Sequence, residues 1–214
     1  MTERQAANDN RVLRHRLPER LFHWAMAVCM LVLLATGFLP VLGVKFAWVD
    51  PHWIAGVALT VLVLLHIIRT LLVLRPSEMW VRWRELRNAV GMSAKEVLGA
   101  PRIRKSIGKY SVGQKIFHHA VAIVVLTAIG TGLVMMAGID GPFWERNPFL
   151  ISAQSRGLMF VLHGFAGLFS VTMIMVHVYF AVRPEKRYMT RSMLGGYITR
   201  DEFERHHDPD MWQE

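Results

Sequence analysis

Apolar residues in this chain gather into four long blocks separated by polar segments. A helix rises 1.5 Å per residue, so about 20 apolar residues cross a hydrocarbon core of ~30 Å. The blocks at 22–42, 51–74, 113–137 and 157–182 meet that length and predict four transmembrane helices. Pro40 and Gly43 end the first, and Pro51 suits the first turn of the second. Residues 1–21 have the basic composition of a signal-peptide n-region, but the run behind them is too long and no A-x-A site closes it. It is read as a retained first span. The polar loop 75–112 contains WVRWRELRNAVGM and SAKEVLGA, which read as short helices. Trp80 and Trp83 beside Arg82 and Arg84 suit either the membrane interface or a solvated helix. Phe143, Trp144 and Phe149 between the third and fourth blocks suit a membrane boundary. A charged tail, 183–214, follows. The predicted fold class is an all-α membrane protein, a single integral membrane domain.

Composition changes this picture little. Of the 214 residues 53% are hydrophobic, and they are blocked rather than spread. The net charge of +9 raises nucleic acid as a partner, but the basic residues lie between the blocks, where membrane topology accounts for them. Twenty-two of the 25 Lys and Arg fall in the amino-terminal segment, the middle loop region from Arg69 to Lys115, and the tail. Only Lys45, Arg146 and Arg156 lie in the other two loops. The positive-inside rule then places both termini in the cytoplasm of a bacterium, with the chain in the inner membrane among lipid and no nucleic acid partner. The single cysteine, Cys29, sits in an apolar run as a packing residue. It excludes an intrachain disulfide, a covalent C-x-x-C-H haem and a cysteine-ligated iron–sulfur cluster, so any iron–sulfur relay belongs to a partner.

The candidate chemistry lies in histidines within the apolar blocks. Ionisable residues inside a membrane are costly and mark function. His52 and His66 are fourteen residues apart in the second block, and His163 and His177 are fourteen apart in the fourth. That spacing returns to nearly the same helix face after about 21 Å. Both blocks open with H-x-x-A-G, His52 to Gly56 and His163 to Gly167. Glycine one turn from the imidazole leaves room for a flat macrocycle. The first and third blocks also align without a gap, RLFHWAMAVCMLVLLATGF on KIFHHAVAIVVLTAIGTGL. His23 meets His118, and Thr36-Gly37 meets Thr131-Gly132. The four spans therefore read as two parallel helix-pair repeats. Neutral imidazoles paired at two depths are axial ligands for haem iron. His52 and His163 form the periplasmic-side pair. At the cytoplasmic level His23, His66, His118 and His177 are available. Helix spacing alone selects His66 with His177, without forcing the choice.

Several pieces carry a family resemblance: ERLFHW, PHWIAG, GKYSVGQK, VLHGFAG with MVHVYFAV, and the tail RDEFERHHDPDMW. With them the chain resembles the membrane di-haem cytochrome b (gamma) subunit of respiratory formate dehydrogenases, within the wider group that includes hydrogenase cytochrome b subunits. The resemblance implies two haems b, one held by His23 and His177 and one by His52 and His163, with Gly56 and Gly167 against them. It makes His66 and His118 polar neighbours of the cytoplasmic-side haem, since the family commonly has other residues there. It implies a membrane quinone near GKYSVGQK, met by Ser111, Gly113 and Gln114. Ser111 stands where the family commonly has Asn and reaches less far; a capped helix start accounts for the same motif. The implied partners are an iron–sulfur subunit and a molybdenum or tungsten catalytic subunit. Electrons would pass from the former to quinone, the chain itself not acting on formate. A hydrogenase or other molybdenum enzyme as partner, a stand-alone b561-type cytochrome, and a haem-free transporter or metal-binding protein remain as alternatives. His15 and His119 are expected at the interface or in solvent, and His206 and His207 on a surface tail.

Overall fold

Each apolar block forms a helix in the computed structural model, which describes residues 10–72, 79–81, 83, 86–87, 109–147, 149–207 and 212. The two helices expected within 80–100 fall almost wholly outside these residues, as does part of the tail motif, 208–211. Helix α1 is Leu17–Phe38, α2 Val49–Leu72, α3 Val112–Met136 and α4 Ala153–Val182. All four are long and apolar enough to cross a membrane.

Their ends differ from the apolar blocks because polar caps extend the helices. Helix α1 begins five residues early, where Pro18 fits the first turn and Glu19 accepts from the backbone N–H of Arg16 at 3.2 Å. It ends at Phe38, before a turn in which Gly43 takes φ +89°, a conformation costly for residues with a Cβ. Helix α4 begins at Ala153, where the Ser152 hydroxyl accepts from the N–H of Ser155 at 3.1 Å.

The chain divides into two compact units. The first, Leu21–Arg69 with Val121–Phe180, holds most of the four helices. Its large side chains point outward: Leu21, Val28, Val61, Ile123, Phe160 and Met175 are all at least half exposed. Its buried helix residues are mainly small: Thr36, Ala55, Thr131, Ala166 and Ser170, with Leu59 the large exception. This inversion of the soluble pattern is how helices associate in lipid. Apolar side chains gain nothing by leaving hydrocarbon, and small residues let backbones approach. The chain is a multi-pass membrane protein.

The second unit takes the described residues of Met1–Arg20, Thr70–Ala120 and Ala181–Glu214. It contains a feature beyond the all-α expectation: strand β1, Arg11–Leu13, pairs antiparallel with β2, Tyr197–Thr199, in the register Val12 to Ile198. Helices α5, Arg187–Gly195, and α6, Arg200–His206, flank β2. Tyr188, Ile198 and Phe203 form its core, with Val12, Met189 and Trp212 packed on it. Gly196 terminates α5 at φ +91°, and its carbonyl accepts from the N–H groups of Arg14 and His15. The Arg20 guanidinium bonds the α5 carbonyls of Met193 and Leu194, a cation at a helix C-terminus. Thr199 and Glu202 form a reciprocal capping box at the start of α6.

Two expectations are corrected here. His207 is not on a solvated tail: it is 7% exposed, and its Nε2 accepts from the Arg14 guanidinium at 2.9 Å. Trp212 lies 5.5 Å from that guanidinium, and His206 stacks on Tyr188 with ring centres 4.7 Å apart. His15 is not solvated either. Its side chain is 13% exposed, 3.6 Å from Glu19, and burial pulls its pKa below the usual histidine value. The tail packs because Phe203, Tyr188 and Ile198 give it a small core that a reading of charge alone overlooks.

Candidate functional site

Two pairs of imidazoles face one another within the first unit. His52 on α2 and His163 on α4 have ring centres 6.1 Å apart. His23 on α1 and His177 on α4 also have ring centres 6.1 Å apart. The structure thus brings His23 to His177, the residue that helix spacing alone pairs with His66. An imidazole nitrogen binds a transition metal at about 2 Å and sits about 1.1 Å from its ring centre, so two imidazoles that met one ion from opposite sides would have centres about 6 Å apart. Both separations would suit two imidazoles that share one ion. The donor set, two imidazoles on apolar helices, fits a haem of the b type, which needs no cysteine link.

The His52–His163 pair is braced from behind. The Thr36 hydroxyl on α1 lies 2.8 Å from His52 Nδ1, and the Thr131 hydroxyl on α3 lies 3.0 Å from His163 Nδ1. The glycine after each threonine lets the ring approach. A Cβ on Gly37 would lie 3.6 Å from His52 Cε1, and one on Gly132 only 3.2 Å from His163 Cε1. Sequence reasoning does not single out these four as site residues, although the aligned Thr-Gly dipeptides are a signal for them. A Cβ on Gly56 would lie 3.8 Å from Leu33 and one on Gly167 3.5 Å from Phe38, both on α1 and both ordinary contacts.

His66 is half-buried on α2. His118 and His119 have ring centres 5.9 Å apart, and His119 Nδ1 donates to the Lys115 carbonyl at 2.7 Å.

The residues expected at a quinone are brought together in the second unit, at the start of α3. Gln114 Oε1 accepts from the Ser111 N–H at 2.9 Å, and the Ser111 hydroxyl accepts from the Gln114 N–H at 3.3 Å. This is a capping box, the structural use of that motif. Gln114 Nε2 donates to Met189 Sδ at 3.5 Å. Gly113 is exposed, with nothing within 4 Å of where a Cβ would stand. First-turn N–H groups have no intrahelical partner, so this end keeps donor capacity.

The chain is 26% identical over 227 residues to the cytochrome b556 subunit of formate dehydrogenase from Haemophilus influenzae, covering 97% of this chain and 85% of that protein. It is 26% identical over 204 residues to the cytochrome b556(fdo) subunit of formate dehydrogenase from Escherichia coli K12, covering 92% and 90%. The sequence model of prokaryotic cytochrome b561 matches residues 14–196, from just after β1 through all four spans to the end of α5, and the chain belongs to that family of haem b-binding membrane cytochromes.

Proposed function

We propose that this chain is the membrane electron-transfer subunit of a formate dehydrogenase, binding two haems b and linking an iron–sulfur partner on the periplasmic face to quinone near the cytoplasmic face. The observation that carries this is the pair of 6.1 Å imidazole separations, one for His52 with His163 and one for His23 with His177. Bound haem supplies one-electron carriage. The chain's part is to hold the sites apart: His163 and His177 lie on one helix, about 21 Å apart along its axis. His52 and His163 would hold the periplasmic-side iron, and His23 and His177 the cytoplasmic-side iron. The link to formate dehydrogenase rests on the relatives at 26% identity, each covered over at least 85% of its length. The catalytic subunit, with molybdenum or tungsten, would meet formate; this chain would not.

The quinone is assigned to the start of α3, where Gly113 is exposed and Ser111 and Gln114 fix the backbone. The orientation in the inner membrane, with both termini cytoplasmic, is supported by the distribution of Lys and Arg. The pairing of β1, ahead of the first span, with β2, behind the fourth, supports placing both on one side. The matching Thr36–His52 and Thr131–His163 contacts support the helix-pair duplication.

The test is a dithionite-reduced minus oxidised spectrum of the purified complex, with haem counted per chain. Two haems b are expected, falling to one in His52→Ala or His177→Ala and staying at two in His66→Ala. A His66→Ala protein with one haem would transfer the ligand role to His66, and a wild-type chain without haem would overturn the reading.

A further inference from the structure

We propose that Thr36 and Thr131 are positioning residues that fix the tautomer of His52 and His163, holding the Nδ1 proton on each ring so that each Nε2 presents a bare lone pair to iron. The inference rests on the reading of these histidines as haem ligands.

The direction of each hydroxyl proton decides the tautomer. A threonine hydroxyl has one proton and two lone pairs. Thr36 Oγ1 lies 2.7 Å from the Val32 carbonyl oxygen, and Thr131 Oγ1 lies 2.7 Å from that of Thr127. Two oxygens that close need a proton between them, and a carbonyl has none to give. The hydroxyl proton therefore points to the backbone in both cases. The oxygen then offers the facing imidazole only a lone pair, at 2.8 Å for His52 and 3.0 Å for His163. A bare Nδ1 facing that lone pair would be repelled, so Nδ1 carries the proton.

Neutral imidazole has one N–H and one lone pair, and the partner of the first nitrogen decides which face the second shows. With Nδ1 protonated, Nε2 is the ligand on both sides of the 6.1 Å gap. The glycine after each threonine completes the arrangement. Gly132 lets the His163 ring close to where a Cβ would be only 3.2 Å away. Each threonine reaches its histidine from a neighbouring helix, so ligand orientation is tied to the packing of α1 on α2 and of α3 on α4. The acceptor is a hydroxyl and not a carboxylate, so it holds the proton on Nδ1 without drawing the ring toward imidazolate.

Thr36→Val and Thr131→Val keep the shape and remove the oxygen; Thr36→Ser and Thr131→Ser keep the oxygen. The readouts, taken on the purified complex, are haem release to excess apomyoglobin and the low-spin ferric EPR signal of each haem. For either valine variant about tenfold faster release of one haem is expected, with the serine variants within about twofold of wild type. The EPR signal of that haem alone should shift, the other serving as an internal check on folding. Where valine prevents accumulation of the complex, Thr→Ala against Thr→Ser gives the same contrast. Release and EPR unchanged in both hydroxyl-free variants, while His52→Ala loses one haem, would overturn the positioning role and leave the ligand assignment standing. Equal shifts of both haem signals, or no rescue by serine, would reduce the threonines to packing. Two haems retained in both His52→Ala and His163→Ala would remove the ligand reading itself, and this inference with it.

Discussion

A single hydrogen at position 132 has a measurable consequence. Overfilling a packed site forces neighbours off their rotamers at a cost of about 1–3 kcal/mol. A methyl group on Gly132 would stand 3.2 Å from His163 Cε1, so the ring must retreat, whereas one on Gly37 would stand at an ordinary 3.6 Å from His52. Gly132→Ala should therefore lower the haem-to-chain ratio of the isolated complex, while Gly37→Ala stays near wild type. Equal loss in both would show that the spacing between ring and glycine does not govern binding. The histidines themselves are legible in the sequence because an imidazole within an apolar run is costly to bury and rarely kept without a use. The approach of His23 to His177 is not legible from spacing on one helix, because the two residues sit on different helices. The threonines are harder still. A helical threonine bonding its own i−4 carbonyl is common, and only its second contact, to another helix, gives it a role.

Among the elements, α5, α6 and the β1–β2 pair depend on a few caps, which makes them the sensitive part of the chain. Gly196→Ala would place a Cβ 3.0 Å from the His15 carbonyl oxygen at φ +91°, a conformation costing other residues about 1–3 kcal/mol. Thr199→Ala would break the α6 capping box at about 0.5–2 kcal/mol. Both should speed proteolytic clipping of the tail in the detergent-solubilised complex without changing haem content. Clipping at the wild-type rate would mean that these caps do not hold the module. Acid should act in the same direction. Burial would raise the Glu202 carboxyl, yet its hydrogen bonds to Thr199 and Arg191 outweigh this and hold it below the usual carboxylate range. Its contribution is present above the unfolded pKa and is lost as pH falls through the folded one. His15 is depressed chiefly by burial, so the opened chain takes up its proton first, near pH 6.5. Protection of the tail should thus decline from about pH 6.5 downward, and Glu202→Gln should flatten only the portion near pH 4. None of this module is visible in the sequence. β1 is three residues long, and Arg14 and His207 are 193 positions apart, so no local pattern announces their contact. The four spans are visible because a run of about twenty apolar residues matches the thickness of a bilayer.

At the scale of the whole molecule, the asymmetry of charge bears on the direction of the chemistry. Twenty-two of 25 Lys and Arg lie on the face assigned to the cytoplasm, the face to which the start of α3 belongs. If formate is oxidised outside and quinone is reduced near the inner face, negative charge moves inward while the protons joining quinone are consumed inside. The electron and the proton cancel in the neutral quinol, so each electron passed leaves the interior one positive charge poorer. Each elementary charge so moved stores about 2.3 kcal/mol per 100 mV of membrane potential. Sealed right-side-out vesicles carrying the complex should therefore build an inside-negative potential when formate and an oxidised quinone are supplied. A protonophore should abolish it, and His177→Ala should abolish it together with quinone reduction. The informative comparison is with Ser111→Ala, which removes one half of the capping box and leaves both histidine pairs alone. Slower quinone turnover with unchanged haem content and an unchanged potential per electron would support the start of α3 as the quinone end. Formate-driven quinone reduction that proceeds without any potential would place quinone and the iron–sulfur partner on the same side of the membrane, and the proposed orientation of the electron path would fall.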